Sequence, residues 1–303
     1  MTPVLVWART SQAASPIRTG TRQSSASPRH ERATSFWNVD DVALPFRAGT
    51  VSWDVLRRPV FLLGGMRALL LQIAEPRIAA GVAEHSNFTE RVFDRMRHTV
   101  ELMVEIGLGH PVEAQRAIDE MRHAHRGVRG TTPDGTPYDA GDPELRLWVL
   151  ATLIDTVLVV EQTYVGEFDE EERARYYRES LEVARVLDVG DAPSSLDEFA
   201  NYVNERVAGL AVTDQARQIA HHVLHAKLGG IPHWSLTPLR VVTTDLLPQH
   251  LRDGYGLSLS PRQGRWLRRF QGASRATLPR MPGWVRTFPL LRPISGLRER
   301  VFS

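Results

Sequence analysis

Residues 143–166 read PELRLWVLATLIDTVLVVEQTYVG, an almost unbroken apolar run. Apolar and polar residues do not alternate with a period of two here, nor in any sustained way elsewhere in the chain. The run is therefore read as a long helix rather than a strand, and its apolar character places it at the centre of the protein. The fold class that follows is all-α.

The flanking segments agree. TTPDGTPYDAGDP (131–143) is dense in Pro, Gly and Asp and is the clearest loop. Before it, HPVEAQRAIDEMRHAHRGVRG (110–130) predicts a helix, with Pro111 in its first turn and Gly127 or Gly130 at its end. TERVFDRMRHTVELMVEIGLG (89–109) spaces Val92, Phe93, Met96, Val100, Met103 and Val104 by threes and fours, the mark of an amphipathic helix. RIAAGVAEHSNF (77–88) predicts another helix. SWDVLRRPVFLLGGMRALLLQIAEP (52–76) predicts a buried one, whose Gly64–Gly65 pair permits either close packing or a break. Downstream, the segments 169–190, 194–210, 213–230, 237–256 and 260–285 predict further helices. No internal repeat is found. The expectation is a single multi-helix domain over residues 36–303. Residues 1–35 are read as a disordered tail, rich in Ser, Thr and Arg and lacking the apolar core of a secretory signal.

Composition bounds the function. With 303 residues and 42% hydrophobic content, the chain can bury a sizeable core. Its formal charge is +2, with acids interspersed among the arginines, which argues against a nucleic-acid partner. The absence of cysteine excludes disulfides, thiolate metal sites and cysteine nucleophiles. The most apolar stretch, 60–74, is interrupted by Arg67 and falls short of the roughly 20 residues a membrane span needs. The chain is read as cytoplasmic, without a membrane span.

The stretch DEMRHAHRGVRG (119–130) concentrates titratable and cationic groups. On a continuous helix Arg122, His125 and Arg129 stand at i, i+3 and i+7 and share a face. One reading is a solvated basic face. The other is a site for an anionic cofactor. Flanking guanidiniums would repel a free dication, but they suit haem, whose iron takes an imidazole nitrogen and whose two propionates pair with arginines. His123 points about 160° away from His125 and is read as packing or solvated. Arg95, His98 and Thr99 on the preceding helix are either surface residues or, if the two helices pair antiparallel, donors facing His125 that polarise bound oxygen. His85 and Ser86 close a helix, where a histidine favours the dipole or lines a pocket. His221 and His225 have a metal-compatible spacing, but no HExxH pattern or carboxylate accompanies them, so His221, His222 and His225 read as an exposed histidine face.

The motifs AAGVAEHSNF, RMRHT, MRHAHRGVRG, PYDAGDPELRLWV and LLPQHLRDGYG occur in this order. Together they give a chain that resembles the oxygenase family of MpaB and the latex-clearing proteins (rubber oxygenases), over about residues 50–292. The resemblance implies a globin-like core holding haem b, and oxidative cleavage or oxygenation of an apolar, unsaturated, isoprenoid-like substrate with O2. It makes His125 the proximal iron ligand in a His-x-x-Val-x-Gly motif. Arg122 and Arg129 become propionate partners and Arg252 a third. Arg95 and Thr99 match the Arg-x-x-x-Thr motif of the distal side. Where rubber-cleaving members carry an iron-capping lysine before that threonine, this chain has His98. Glu84 is a loose match for the glutamate base. Two other readings compete: a haem protein that senses redox state or gas without turnover, and a helical scaffold without the cofactor.

Overall fold

The computed structural model describes residues 49–85, 92–225 and 236–282; the expected N-terminal tail and Ser86 lie outside the described residues. Within α4, the side chains of residues 92–97, 99 and 100 also lie outside the description. The described residues are mostly helical. The helices are α1 (Val51–Leu56), α2 (Gly65–Ile73), α3 (Pro76–His85), α4 (Val92–Leu108), α5 (Pro111–His125), α6 (Pro143–Val160), α7 (Glu170–Leu187), α8 (Leu196–Gly209), α9 (Asp214–Leu224), α10 (Thr237–Leu246), α11 (Gln249–Gly254) and α12 (Pro261–Thr277). One antiparallel hairpin, β1 (Arg129–Thr131) with β2 (Pro137–Asp139), joins α5 to α6.

The 143–166 run forms α6 and organises the core. Asp142 caps it by accepting from the Glu144 N–H, and Pro143 sits in its first turn, where no intrahelical donor is lost. Apolar around its circumference, the helix is covered on several sides. It packs most extensively on α2, and also on α7 and α8. Trp148 is fully buried, and its indole N–H donates to the Leu71 carbonyl at 3.3 Å. The helix ends in one π-turn, residues 161–165, closed by Gly166 at φ +71. Glu161 in that turn is fully buried, and its Oε1 accepts from the backbone N–H groups of Glu167 at 2.6 Å and Phe168 at 2.7 Å.

The 52–76 segment is not one helix. It divides into α1, a 3-10 turn over Pro59–Gly64, and α2. Pro59 has no N–H to donate and a ring that clashes one turn back, so the helix stops there. Gly64 serves close packing as well: a Cβ there would stand 2.2 Å from the Thr156 methyl and 2.9 Å from Val160. Segment 237–256 likewise divides at Pro248 into α10 and α11.

One charge pair is set inside the core. Arg67 on α2 is 1% exposed. It donates to Asp155 on α6 at 2.6 Å, to Thr156 Oγ1 at 2.7 Å and to the Leu246 carbonyl at the end of α10 at 2.9 Å. The interruption of the apolar 60–74 run is thus a tie among three helices. No helix of the described residues is long and apolar enough to cross a membrane.

Candidate functional site at the α4–α5 pair and the hairpin

α4 and α5 are consecutive and antiparallel, joined through Gly109 and His110, and they pack against each other more extensively than any other pair of elements. Two bridges set their register: Glu105 with Arg116 at 2.9 Å and His98 with Glu120 at 3.2 Å. Followed one further turn, this register brings the turn holding Arg95 level with the turn holding His125, and that of Thr99 level with Met121. The antiparallel apposition expected from sequence is therefore present along the backbone. The side chains of Arg95 and Thr99 lie outside the described residues, and that of His98 is half exposed and committed to Glu120.

His125 is the last residue of α5 and is exposed. Its Nδ1 lies 2.7 Å from the Met121 carbonyl. A carbonyl only accepts, so Nδ1 is the donor; in the neutral ring the lone pair then falls on Nε2, the tautomer a metal-ligating histidine needs. The i−4 carbonyl bond is not itself diagnostic, because His222 and His225 on α9 make it too. What distinguishes His125 is its surroundings. Arg122 is one turn back, exposed, its guanidinium 3.2 Å from the Val186 carbonyl and only 4.0 Å from Asp119. Arg129 is exposed and 3.9 Å from Asp139. Both guanidiniums keep donors free for an anion.

The expected shared helical face requires a correction. The helix stops at His125, Gly127 adopts φ +82, and Arg129 opens β1 instead of occupying the seventh position along a helix. The left-handed backbone at Gly127 turns the chain out of the helix, as glycine does at a helix C-terminus. Arg129 remains near His125 through the turn: the Val128 N–H donates to the His125 carbonyl at 3.2 Å.

The hairpin explains the other two residues of His-x-x-Val-x-Gly. Val128 and Tyr138 pack over Gly81 of α3, where a Cβ would be 3.6 Å from the valine and 3.4 Å from the tyrosine ring. Gly130 pairs with Tyr138 across the hairpin, and a Cβ on it would stand 2.6 Å from the Tyr138 hydroxyl and 2.8 Å from the Glu84 carboxylate. The buried Tyr138 hydroxyl donates to Glu84. Burial, then that bond, then the carboxylate's charge push the phenol up to about 12. His85 donates from Nε2 to the Arg129 carbonyl at 3.2 Å and meets Tyr138 edge-on. The α3 terminus thus anchors the turn that carries His125 and Arg129. Glu84 is engaged here by Tyr138. Sequence reasoning missed the Tyr138–Glu84 contact, although the Asp134–Gly135 pair inside TTPDGTPY is a hairpin signal.

Arg252 is carried by a different element. It is on α11, half-buried, donating to Gln249 at 2.5 Å, while neighbours on or just beyond that helix tie to α8 and α2: His250 to the Val207 carbonyl and Tyr255 to the Leu70 carbonyl. Its Nε is buried without a hydrogen-bond partner, a donor suited to an anionic acceptor. No group of three or more metal-ligating side chains occurs among the described residues. An imidazole whose Nδ1 is held by a backbone carbonyl, on a segment that also carries Arg122 and Arg129, fits a cofactor that brings its own equatorial ligands and its own negative charge.

The profile described as "ER-bound oxygenase mpaB/B'/Rubber oxygenase, catalytic domain" matches residues 53–276. Two relatives, both described as uncharacterized, come from Mycobacterium bovis and Mycobacterium tuberculosis. Each is 27% identical over 218 residues, covering 66% of this chain and 82% of the relative. No solved structure gives a significant match.

Proposed function

Because the chain belongs to the MpaB and rubber oxygenase catalytic-domain family, we propose that it is a haem b-dependent oxygenase that cleaves or oxygenates an apolar, unsaturated, isoprenoid-like substrate with O2. The observation that carries this reading is His125, with its Nδ1 bound to Met121 and its Nε2 free, between Arg122 and Arg129. His125 would hold the haem iron through Nε2. Arg122 and Arg129 would pair with the two propionates, and Arg252 is the third arginine that the resemblance assigns to them. When bound, haem iron supplies dioxygen binding and redox chemistry. Arg95, His98 and Thr99, carried by the turns of α4 level with this end of α5, would orient dioxygen. The apolar walls of α2 and α6 exclude water from an apolar substrate. The reading further takes the helical bundle to hold the haem in a globin-like core, as the family resemblance implies.

The test is spectroscopic. The protein supplemented with haem shows a Soret band, and His125→Ala shifts it and weakens haem retention by at least tenfold. An unchanged band with unchanged affinity removes His125 from the iron, and no band in the wild type removes haem altogether. Oxygen uptake on unsaturated isoprenoids, lost in Arg95→Ala and Thr99→Ala proteins that retain haem, separates turnover from passive binding.

A further inference from the structure

The arginines are distributed unevenly. Between Gly254 and Pro282 the chain carries arginines at 262, 265, 268, 269, 275 and 280 and no Asp or Glu, although the whole chain is only +2. This run forms α12 and the 3-10 turn after it. α12 is an outer helix. It is held to the π-turn and α10 through buried Leu267 and Ser274 and through Phe270. Arg262, Arg265 and Arg269 stand at i, i+3 and i+7 on the stripe turned away from Leu267, with Arg268 beside them, and all four are exposed. None of these four forms an ion pair with a carboxylate among the described residues, whereas Arg58, Arg67, Arg77 and Arg206 are each paired. Two large apolar side chains of this segment break the surface: Trp266, next to Arg265 on α12, 39% exposed and stacked on Phe270 at 5.2 Å, and Met281, just after the 3-10 turn, 36% exposed.

We propose that the α12 face is a docking surface for an anionic lipid bilayer, on which the protein lies peripherally. Charge complementarity selects a negative surface. The exposed Trp266 and Met281 select a lipid one, because indole and apolar tips gain at the headgroup boundary what they would not gain in solution or on a phosphodiester backbone. Buried Leu267 and Ser274 keep α12 attached to the bundle, so the contact is made by arginine and one aromatic edge rather than by insertion of the whole helix. The inference does not depend on haem.

The full chain is floated with phosphatidylcholine vesicles, with and without about 30% phosphatidylglycerol. Binding is expected only to the anionic vesicles, with release at about 1 M salt, where the Debye length falls to about 3 Å. Arg262→Gln/Arg265→Gln/Arg269→Gln is expected to weaken partitioning roughly a hundredfold, at about tenfold or less per cationic contact. Arg178→Gln/Arg185→Gln, on the exposed surface of α7, leaves it within a factor of a few. Trp266→Ser weakens binding less than the triple variant does. Circular dichroism and melting of each variant report folding. Equal binding to neutral vesicles, an unaffected triple variant, equal losses from the α7 pair, or tighter binding to duplex DNA or RNA at the same salt each overturn the proposal.

Discussion

At the scale of single residues, the candidate site rests on charge and tautomer. Arg122 and Arg129 are exposed, so on the proposed reading each would contribute about 1 kcal/mol to holding a propionate rather than the larger value of a buried pair. Arg122→Gln and Arg129→Gln are each expected to weaken haem binding about fivefold, and the double variant about twenty-fivefold, read by haem transfer to an apo-globin acceptor. Lysine at either position restores part of the loss, since it keeps charge but not the planar fork. A loss confined to one of the two would leave the other arginine outside the site. Glu161 poses a separate residue-scale question. Its Oε1 holds two backbone N–H groups, while its Oε2 is buried without a partner, and burial raises its pKa above the ordinary carboxylate value against the pull of those two bonds. A carboxyl whose pKa is raised by folding contributes stability below its unfolded value and loses that contribution as pH rises through the folded one. Glu161→Gln keeps an acceptor for both N–H groups and removes the titration. The melting temperature of the variant relative to wild type is therefore expected to climb from pH 4.5 to pH 8. A difference that stays flat across that range would show that Glu161 does not titrate with folding.

At the scale of elements, the hairpin is the part on which the site turns. A methyl group on Gly130 would collide with the Tyr138 hydroxyl and the Glu84 carboxylate, neither of which is the free end of a flexible chain, since each holds the other. Gly130→Ala is expected to cost about 1–3 kcal/mol, as overpacking does, and to loosen haem binding along with the fold, because the displaced strand carries Arg129. Melting and haem titration check both; a destabilised protein with unaltered haem affinity would detach the hairpin from the site. This element was also where the sequence was least legible. Long, uniformly apolar α6 declares itself through local pattern, and so does Pro111 at the start of α5, whose end stayed open between Gly127 and Gly130. Three-residue strands have no period to detect. The face shared by Arg122, His125 and Arg129 was drawn on a helix that Gly127 ends two residues after His125, so the grouping survives through a turn and not through helical phase. Arg252 was legible only by motif, because the hydrogen bonds that tie its segment to α8 and α2, from His250 to the Val207 carbonyl and from Tyr255 to the Leu70 carbonyl, join residues that no local spacing relates.

At the scale of the whole molecule, the fold is fastened by an ion pair that hydrophobic patterning treats as a defect. Arg67 and Asp155 are 88 residues apart and buried, and Arg67 also donates to the Leu246 carbonyl, 179 residues away. Two desolvated charges stabilise little relative to apolar residues of the same size, because the Coulomb gain is set against loss of hydration. Their geometry is nonetheless fully used: all three guanidinium nitrogens have an acceptor, and one of them is the terminal carbonyl of α10, which would otherwise lack a partner. The asymmetry gives a clear expectation. Asp155→Ala leaves a buried guanidinium without its counter-charge and is expected to destabilise the protein by about 3–5 kcal/mol, as is Arg67→Ala, which strands the carboxylate. The double variant Arg67→Met/Asp155→Leu removes both charges while keeping volume, and is expected to recover most of the loss, short of about 1–3 kcal/mol for the Leu246 carbonyl and Thr156 hydroxyl left without a donor. Urea unfolding of the two singles and the double closes the cycle. If the double variant is as unstable as the sum of the singles, the two charges act independently, and the junction of α2, α6 and α10 is held by packing around Gly64 and Trp148 instead.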